Sequence, residues 1–451
     1  MKSTKPWKKP TPDPGEHGRE PDPDRAIVLQ PRLIGAAADR DADVRLDEAC
    51  GLAEALDLDV VFRDIIALRR LTPGEYFGSG RVQSLGARVA EEAAGVVVID
   101  SALSPVQQRN LERAWNAKVV DRTGLILEIF GRRAQTREGR LQVELARLGY
   151  ERSRLVRTWT HLERQRGGMG KTGGPGETQI ELDRRQIADR IVRLKKDLED
   201  VRRTRALQRR ARARAGLPAV VFVGYTNAGK SSLFNRLTNA GVLAKDMPFA
   251  TLDPTARLVK LPSGRAIIAS DTVGFITDLP TELIAAFRAT LEAVMEADLL
   301  VHVRDIAHLE TEAQRADVLA VLDQIAKDEK RARPPMLEAW NKIDLLTPAQ
   351  RQARLQRAAE EGARAGGEAP LPISAVTGEG IEALLHSIDH AAFGATRVAV
   401  FELDAGDGKT RARIAASGKI LEERVREDGV LEITAELSAA DAARLAGEAS
   451  A

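Results

Sequence analysis

Residues 218–237, PAVVFVGYTNAGKSSLFNRL, decide the fold. "PAVVFV" is a short apolar run of the kind that forms a buried strand. "GYTNAGKSSLFNRL" then places four residues between Gly224 and Gly229-Lys230-Ser231, at the start of a helix. Strand, glycine-rich turn and helix in that order predict a parallel α/β sheet with an anion at the helix N-terminus. There the backbone from Gly224 through Tyr225, Thr226, Asn227, Ala228 and Gly229 to Ser232 wraps the α- and β-phosphates. Lys230 reaches the β- and γ-phosphates, and the Ser231 hydroxyl binds Mg²⁺.

Three later segments extend the pattern. "AIIASDTVGF" ends an apolar stretch with Asp271-Thr272-Val273-Gly274. A carboxylate at that point can hold Mg²⁺ through water, and the Gly274 N–H can sense a γ-phosphate. "NKID" supplies Asn341, Lys342, Ile343 and Asp344. The Asp344 carboxylate can pair with the guanine N1–H and N2 amine, an edge that adenine lacks. "PISAVTGEG" brings Ser374-Ala375-Val376, whose backbone can meet guanine O6. Four elements in this order predict a GTPase: GTP as substrate, GDP as product, Mg²⁺ as cofactor. A threonine must also close on the metal. "FATLDPT" (Phe249, Ala250, Thr251, Leu252, Asp253, Pro254, Thr255) offers Thr251 and Thr255, and spacing alone does not choose between them.

A second phosphate-loop ending, Gly170-Lys171-Thr172, lies in "GGMGKTGGPGET". Its required first glycine falls on Gln165, and the preceding "HLERQR" reads as helix, so this is no nucleotide loop. Leu141, Leu145, Leu148, Leu155, Trp159 and Leu162 precede it in heptad steps; Ile180, Ile187, Ile191, Leu194, Leu198 and Val201 follow it likewise. Two such seams around a Gly/Pro-rich connection predict an antiparallel helical hairpin, an arm of roughly 30–40 Å at 1.5 Å per residue. From Arg132 to Arg214 there are 24 Lys and Arg against 11 Asp and Glu, a balance of +13 in a chain whose net charge is +2. That asymmetry suggests an element built for a polyanion, with Arg164, Arg166 and Lys171 meeting phosphates at the tip. A solvated helix surface with a plain connector is the alternative.

The 451 residues suggest several domains, and 43% hydrophobic content suffices for real cores. No apolar run reaches the roughly 18 residues of a membrane helix. The proline-broken start has no apolar signal region and reads as a disordered tail over 1–25. The single Cys50 excludes an internal disulfide framework and fits a reducing cytoplasm; the six histidines have no metal spacing. Alternating strands and helices over 26–134 predict a mostly parallel α/β domain. Gly78-x-Gly80-Arg81, opening one of its helices, is weak evidence of an anion site against a plain turn. The hairpin spans 135–216 with its tip loop at 167–176, and the Ras-like P-loop GTPase domain 217–395. A small C-terminal α/β unit over 396–451 has strands "RVAVFEL" and "VLEITAEL" around a helix expected over "ARIAASGKILEERVRE".

"GYTNAGKSSLFNRLT", "FATLDPT", "DTVGFITDLP" and "NKID" resemble the HflX family of bacterial GTPases, within the Obg–HflX superfamily. "VIDSALSPVQQRNLER", "VVDRTGLILEIF", "LQVELARL", "WTHLERQRGG" and "GPGETQIELDRR" resemble its N-terminal half, so the likeness covers most of 26–445. The resemblance implies that Thr251 is the switch I threonine and second protein ligand of Mg²⁺. It implies a cytoplasmic, monomeric factor that binds the large (50S) ribosomal subunit and splits stalled or idle ribosomes during stress. The hairpin tip would touch ribosomal RNA near the peptidyl transferase centre. A large-subunit assembly or surveillance GTPase, or an RNA-remodelling protein with a regulatory G domain, is the competing expectation.

Many small GTPases place a glutamine just after the Asp-x-x-Gly segment to orient the attacking water. Here Phe275 and Ile276 follow Gly274, so intrinsic hydrolysis is expected to be slow. In some related GTPases with a hydrophobic residue there, an asparagine in the phosphate loop helps bind K⁺. Asn227 is the candidate here, the alternative being a hydrogen bond within the loop.

Overall fold

In the computed structural model the described residues are 20–35, 40–165, 175–214, 217–238, 248–249, 251, 255–278, 294–365, 369–394, 396–404, 406–426 and 428–449. The chain divides into two compact units, one of residues 1–128 and 153–171, the other of 129–152 and 172–451.

The first unit is built on a four-stranded parallel sheet in the order β2-β1-β3-β4, with β1 Asp22–Leu33, β2 Asp59–Leu68, β3 Ala94–Ile99 and β4 Lys118–Asp121. These strands alternate with helices, as expected for 26–134. The first begins at Asp22, inside the stretch expected as a tail. Asp22 donates its backbone N–H to Ala93 O, and the Arg25 guanidinium bonds Glu92 O at 2.8 Å. Helix α2 (Ser79–Glu91) and α3 (Pro105–Trp115) bury Val82, Leu85, Leu111 and Trp115 against Ile27, Leu29, Val97 and Ile99. Helix α1 (Ala42–Glu54) packs on β1 and β2 and buries Leu46, Ala49 and Leu52. Ser104 and Gln107 close a reciprocal cap on α3 with Pro105 in its first turn, so the sequence sets that helix start. At the carboxyl ends of β3 and β4, the buried Arg122 pairs with Asp100 at 2.5 Å and Glu48 at 2.6 Å. Arg154 bonds Asp121 at 3.2 Å. These charges compensate one another, as buried ions must. Gly78 caps α2 with no side-chain hydrogen bond.

Helix α4 (Arg122–Arg133) follows β4 directly, then α5 (Arg137–Gln165) and α6 (Pro175–Arg214). The chain is helical at Gln165, where a nucleotide loop would need its glycine. In the second unit Leu148, Ile191 and Leu194 form a buried cluster with Leu141, Leu145 and Ile187, the heptad positions read from the sequence. The Glu144–Arg190 ion pair joins α5 to α6, as an antiparallel pairing of the two helices requires. The seam side chains of Leu155, Trp159, Leu162 and Ile180, and tip residues 166–174, lie outside the description.

The second unit carries a six-stranded sheet in the order β10-β9-β8-β5-β7-β6. Its strands are β5 Ala219–Val223, β6 Thr255–Lys260, β7 Ala266–Asp271, β8 Leu299–Asp305, β9 Met336–Asn341 and β10 Leu371–Pro372. Only the β6–β7 pairing is antiparallel. One face packs on α7 (Lys230–Thr238) and α10 (Ile381–Phe393) through Val220, Phe222, Leu233, Phe234, Leu384 and Ile388. Helices α8 (Thr311–Glu329) and α9 (Pro348–Ala365) follow β8 and β9, and Trp340 of β9 packs with Ala358 of α9. Phosphate and base loops therefore leave the carboxyl ends of β5, β7 and β9, where α/β sheets bind ligands.

The C-terminal sheet is antiparallel, β11 (Thr396–Asp404), β13 (Val430–Ser438) and β12 (Gly418–Val425) in that order, under α11 (Gly408–Ser417) and α12 (Ala439–Ala449). The helix expected over "ARIAASGKILEERVRE" is half wrong. It stops at Ser417, and Gly418–Val425 pair with β13 from Gly418↔Leu437 to Val425↔Leu431. Tertiary pairing overrides the helical preference of the Leu-Glu-Glu-Arg run.

Candidate functional site

The phosphate loop sits between β5 and α7 as the sequence requires. Lys230, the first residue of α7, is buried and donates to Tyr225 O at 2.7 Å. Burial pushes its ammonium down to about 8 against the opposing charge of Asp271. Its partners are fixed by close backbone approach. A Cβ on Gly274 would lie 2.9 Å from Lys230 Nζ and 2.9 Å from Thr226 Cα. Gly229, at φ +91°, passes so close to Asn341 that a Cβ would lie 2.2 Å from Nδ2. Both glycines are therefore steric necessities.

Beside Lys230 three oxygen-bearing side chains converge. Ser231 Oγ donates to Asp271 Oδ2 at 2.6 Å, Thr251 Oγ1 donates to the same oxygen at 2.9 Å, and the two hydroxyls lie 2.7 Å apart. Asp271 is fully buried, and burial raises its carboxyl pKa against the bonds from Ser231 and Thr251 and the charge of Lys230. Its Oδ1 is buried without a hydrogen-bond partner among the described residues. Two hydroxyls, a carboxylate and an unsatisfied carboxylate oxygen fit a hard divalent cation such as Mg²⁺, which takes oxygen ligands. The structure bonds Thr251 into this cluster; Thr255 stands opposite Asp271 across the β6–β7 pair, and its buried hydroxyl has no hydrogen-bond partner among the described residues. Thr272 donates its hydroxyl to Phe222 O at 2.6 Å, anchoring the Asp271–Gly274 turn to β5.

The loop and that turn are also joined by backbone. Thr226 N–H donates to Phe275 O at 2.7 Å and Phe275 N–H to Gly224 O at 3.1 Å. Phe275 and Ile276 are buried. Tyr225 OH accepts from Thr277 N–H at 2.8 Å, and the Thr277 hydroxyl bonds Asp317 on α8 at 3.1 Å. Asn227 is exposed with φ +60°. Ser232 is half-buried on α7 and Val273 half-buried in the turn.

Asn341 links base loop to phosphate loop: Nδ2 donates to Ala228 O at 2.8 Å, and Oδ1 accepts from Ala375 N–H at 2.9 Å. Lys342 pairs with Asp305 at 2.8 Å. Ile343 is buried beneath a single 3₁₀ turn that presents Asp344 to solvent. Ser374 Oγ accepts from Thr377 N–H at 3.0 Å, Ala375 is buried and Val376 exposed. A residue that motif reading missed completes this end of the site. Arg236, in the last turn of α7, donates from Nε to Ala375 O at 2.5 Å and from Nη2 to Val376 O. Its only signal was its place on the helix following the phosphate loop. The ring of Phe249 packs on Phe130. Ala250, Leu252 and Asp253 lie outside the described residues.

Residues 43–131 match the family described as "GTP-binding GTPase N-terminal", 133–212 "GTP-binding GTPase Middle Region", and 219–342 "50S ribosome-binding GTPase". A "GTPase HflX" of Magnetococcus marinus is 50% identical over 427 residues, 94% of this chain and 95% of its own. A "GTPase HflX" of Escherichia coli is 43% identical over 83% of this chain and 85% of its own. Among solved structures, a GTP-binding protein from Sulfolobus solfataricus in complex with GDP is 24% identical, with a TM-score of 0.44, covering 82% of this chain and 98% of its own.

Proposed function

Because the chain belongs to the HflX family of GTPases, we propose that it uses GTP to engage the large ribosomal subunit and split stalled or idle ribosomes. The convergence of Ser231, Thr251 and Asp271 beside Lys230 carries the nucleotide chemistry. Ser231 and Thr251 would ligate Mg²⁺ directly and Asp271 through water; the ion neutralises charge on the β- and γ-phosphates. Lys230 neutralises phosphate charge, the Gly274 N–H meets the γ-phosphate, and Asp344 with the Ser374–Val376 backbone selects guanine. The basic hairpin supports ribosomal RNA as its partner, since 24 cations against 11 anions suit a phosphate backbone. Two relatives that cover 94% and 83% of this chain bear the HflX name.

Phe275 supplies no group that could orient water, and its burial against the phosphate loop supports slow turnover in isolation. The missing alignment then comes from the ribosome, with K⁺ held at Asn227 as an additional contribution. The test is GTP turnover by the full chain, alone and with purified large subunits, in K⁺ and in Na⁺. A strong rise with subunits is expected. If turnover is unchanged while GTP binds tightly, the ribosome is not the activator. Equal rates in both salts would remove the K⁺ site. Splitting is read separately, by light scattering of intact ribosomes.

A further inference from the structure

Phe249 combines two features that need a cause. It is a bulky residue with φ +54°, and its ring is 2% exposed. A side chain of this size stays in the left-handed region only where its surroundings hold it. What holds it is Phe130 of α4, itself 1% exposed, with the rings edge to face at 4.6 Å between centroids and 78° between planes. Phe130 belongs to the part of α4 and α5 that packs within the same unit as the phosphate loop. Ala134, Val143 and Ala146 are buried there, and the Arg147 guanidinium lies against α4 over Gly131.

Thr251 follows two residues later, within about 7 Å of extended chain. Where the Phe249 ring sits therefore limits where the Thr251 hydroxyl can be. We propose that Phe130 is a positioning residue for the GTPase site: it seats Phe249, and so holds Thr251 on the Ser231–Asp271 cluster. This deepens the reading above and rests on Thr251 closing on the metal in the GTP state. Phe130 acts through Phe249 and touches no reacting atom. It lies on the helix that leads into the basic hairpin, so the coupling runs both ways. Force or binding on α4 and α5 changes the occupancy of the Thr251 position, and GTP in the site stiffens the hairpin's base.

Phe130→Ala, Phe130→Leu, Phe249→Leu and Thr251→Ala in the full chain test this. Equilibrium binding of fluorescent GDP and of a fluorescent non-hydrolysable GTP analogue with Mg²⁺ is measured, with GTP turnover at saturation. An aromatic edge contact corresponds to about three- to tenfold in an equilibrium. Phe130→Ala is expected to weaken the analogue by about tenfold, because ring truncation adds to the lost contact. It should also lower turnover while leaving GDP affinity in place. Phe130→Leu should lie between it and wild type, and Phe130→Ala should add little to Thr251→Ala. Equal losses of GDP and analogue together with a lowered Tm would show a merely structural role and overturn the proposal, as would an unchanged analogue-to-GDP ratio. If Thr251→Ala itself leaves that ratio unchanged, the metal reading of Thr251 fails first. If Phe130→Ala does not fold, Phe130→Leu and Phe249→Leu decide by the same ratio.

Discussion

Arg236 offers the sharpest quantitative check on how the base loop is held. Its guanidinium sits on the carbonyls of Ala375 and Val376, while Asn341 Oδ1 takes the Ala375 N–H and Ser374 Oγ takes the Thr377 N–H. The loop proposed to meet guanine O6 is thus fastened from α7, β9 and its own turn. Arg236→Met keeps the aliphatic stem and removes both donors. A hydrogen bond to a charged group contributes about 1.5–3 kcal/mol net. Arg236 is exposed, however, and water can replace part of what is lost. About 1–2 kcal/mol in total is the reasonable expectation, which is about 5- to 30-fold in affinity.

Because the phosphate-side residues are untouched, GTP and GDP should weaken by the same factor and kcat should stay where it was. Inosine nucleotides keep O6 and should weaken in parallel. ATP has no O6 and should not, so the preference for GTP over ATP narrows by that factor. Arg236→Lys, a single point charge without the planar fork, should recover part of the loss. The assay is displacement of fluorescent GDP by each nucleotide. A variant binding GTP within twofold of wild type, or one whose loss falls only on kcat, would refute the reasoning.

Three further expectations follow from the same geometry. Gly229→Ala forces a Cβ to 2.2 Å from Asn341 Nδ2 at φ +91°; strain of about 1–3 kcal/mol should cost about 5- to 150-fold in GDP affinity, measured by titration calorimetry. Asp344→Asn exchanges an acceptor for a donor opposite the guanine N2 amine; guanine nucleotides should weaken and xanthine nucleotides gain, and unchanged guanine selectivity would reject the role given to Asp344. Burial first, with Arg304, Arg315 and Lys230 against the pull of Glu338, holds His302 down at about 3. Below the unfolded value of 6.5 the unfolded chain therefore takes up a proton that the fold refuses, and stability falls by about 1.4 kcal/mol per pH unit, about 2 kcal/mol by pH 5. Urea unfolding at pH 7 and pH 5 should show His302→Gln escaping that share; equal losses in both proteins would reject it. Glu338, held at about 2, adds its own loss only below its unfolded 4.5.

The legible parts were those governed by local rules. β5, the phosphate loop and α7 follow from an apolar run, fixed glycines and a helix start, and the structure places them so. The heptads fixed the hairpin seam because a seam is a periodic property of sequence. Thr251 and Thr255 were indistinguishable by spacing; the fold separates them by hydrogen-bonding the Thr251 hydroxyl to Asp271, while that of Thr255, across the strand pair from Asp271, has no partner among the described residues. Arg236 and Phe130 were invisible because their meaning lies in contacts 139 and 119 residues away in the chain, where no periodicity reports. Residues 418–425 were misread because a charged edge strand looks helical until its partner is known.

Phe275 shows how an apparent omission becomes a structural element. A glutamine at this place would have to leave its side chain free beside the γ-phosphate. Here the residue's own amide and carbonyl are both bonded to the phosphate loop, at 3.1 and 2.7 Å, and its ring is buried. The polar chain Tyr225–Thr277–Asp317 continues the splice as far as α8. The turn after Gly274 is thereby held to the phosphate loop, and Phe275 itself offers no side-chain group that could align water. This fits the slow turnover and ribosomal completion proposed above, and Phe130, on the helix that precedes α5 in the chain, is the route proposed for that coupling.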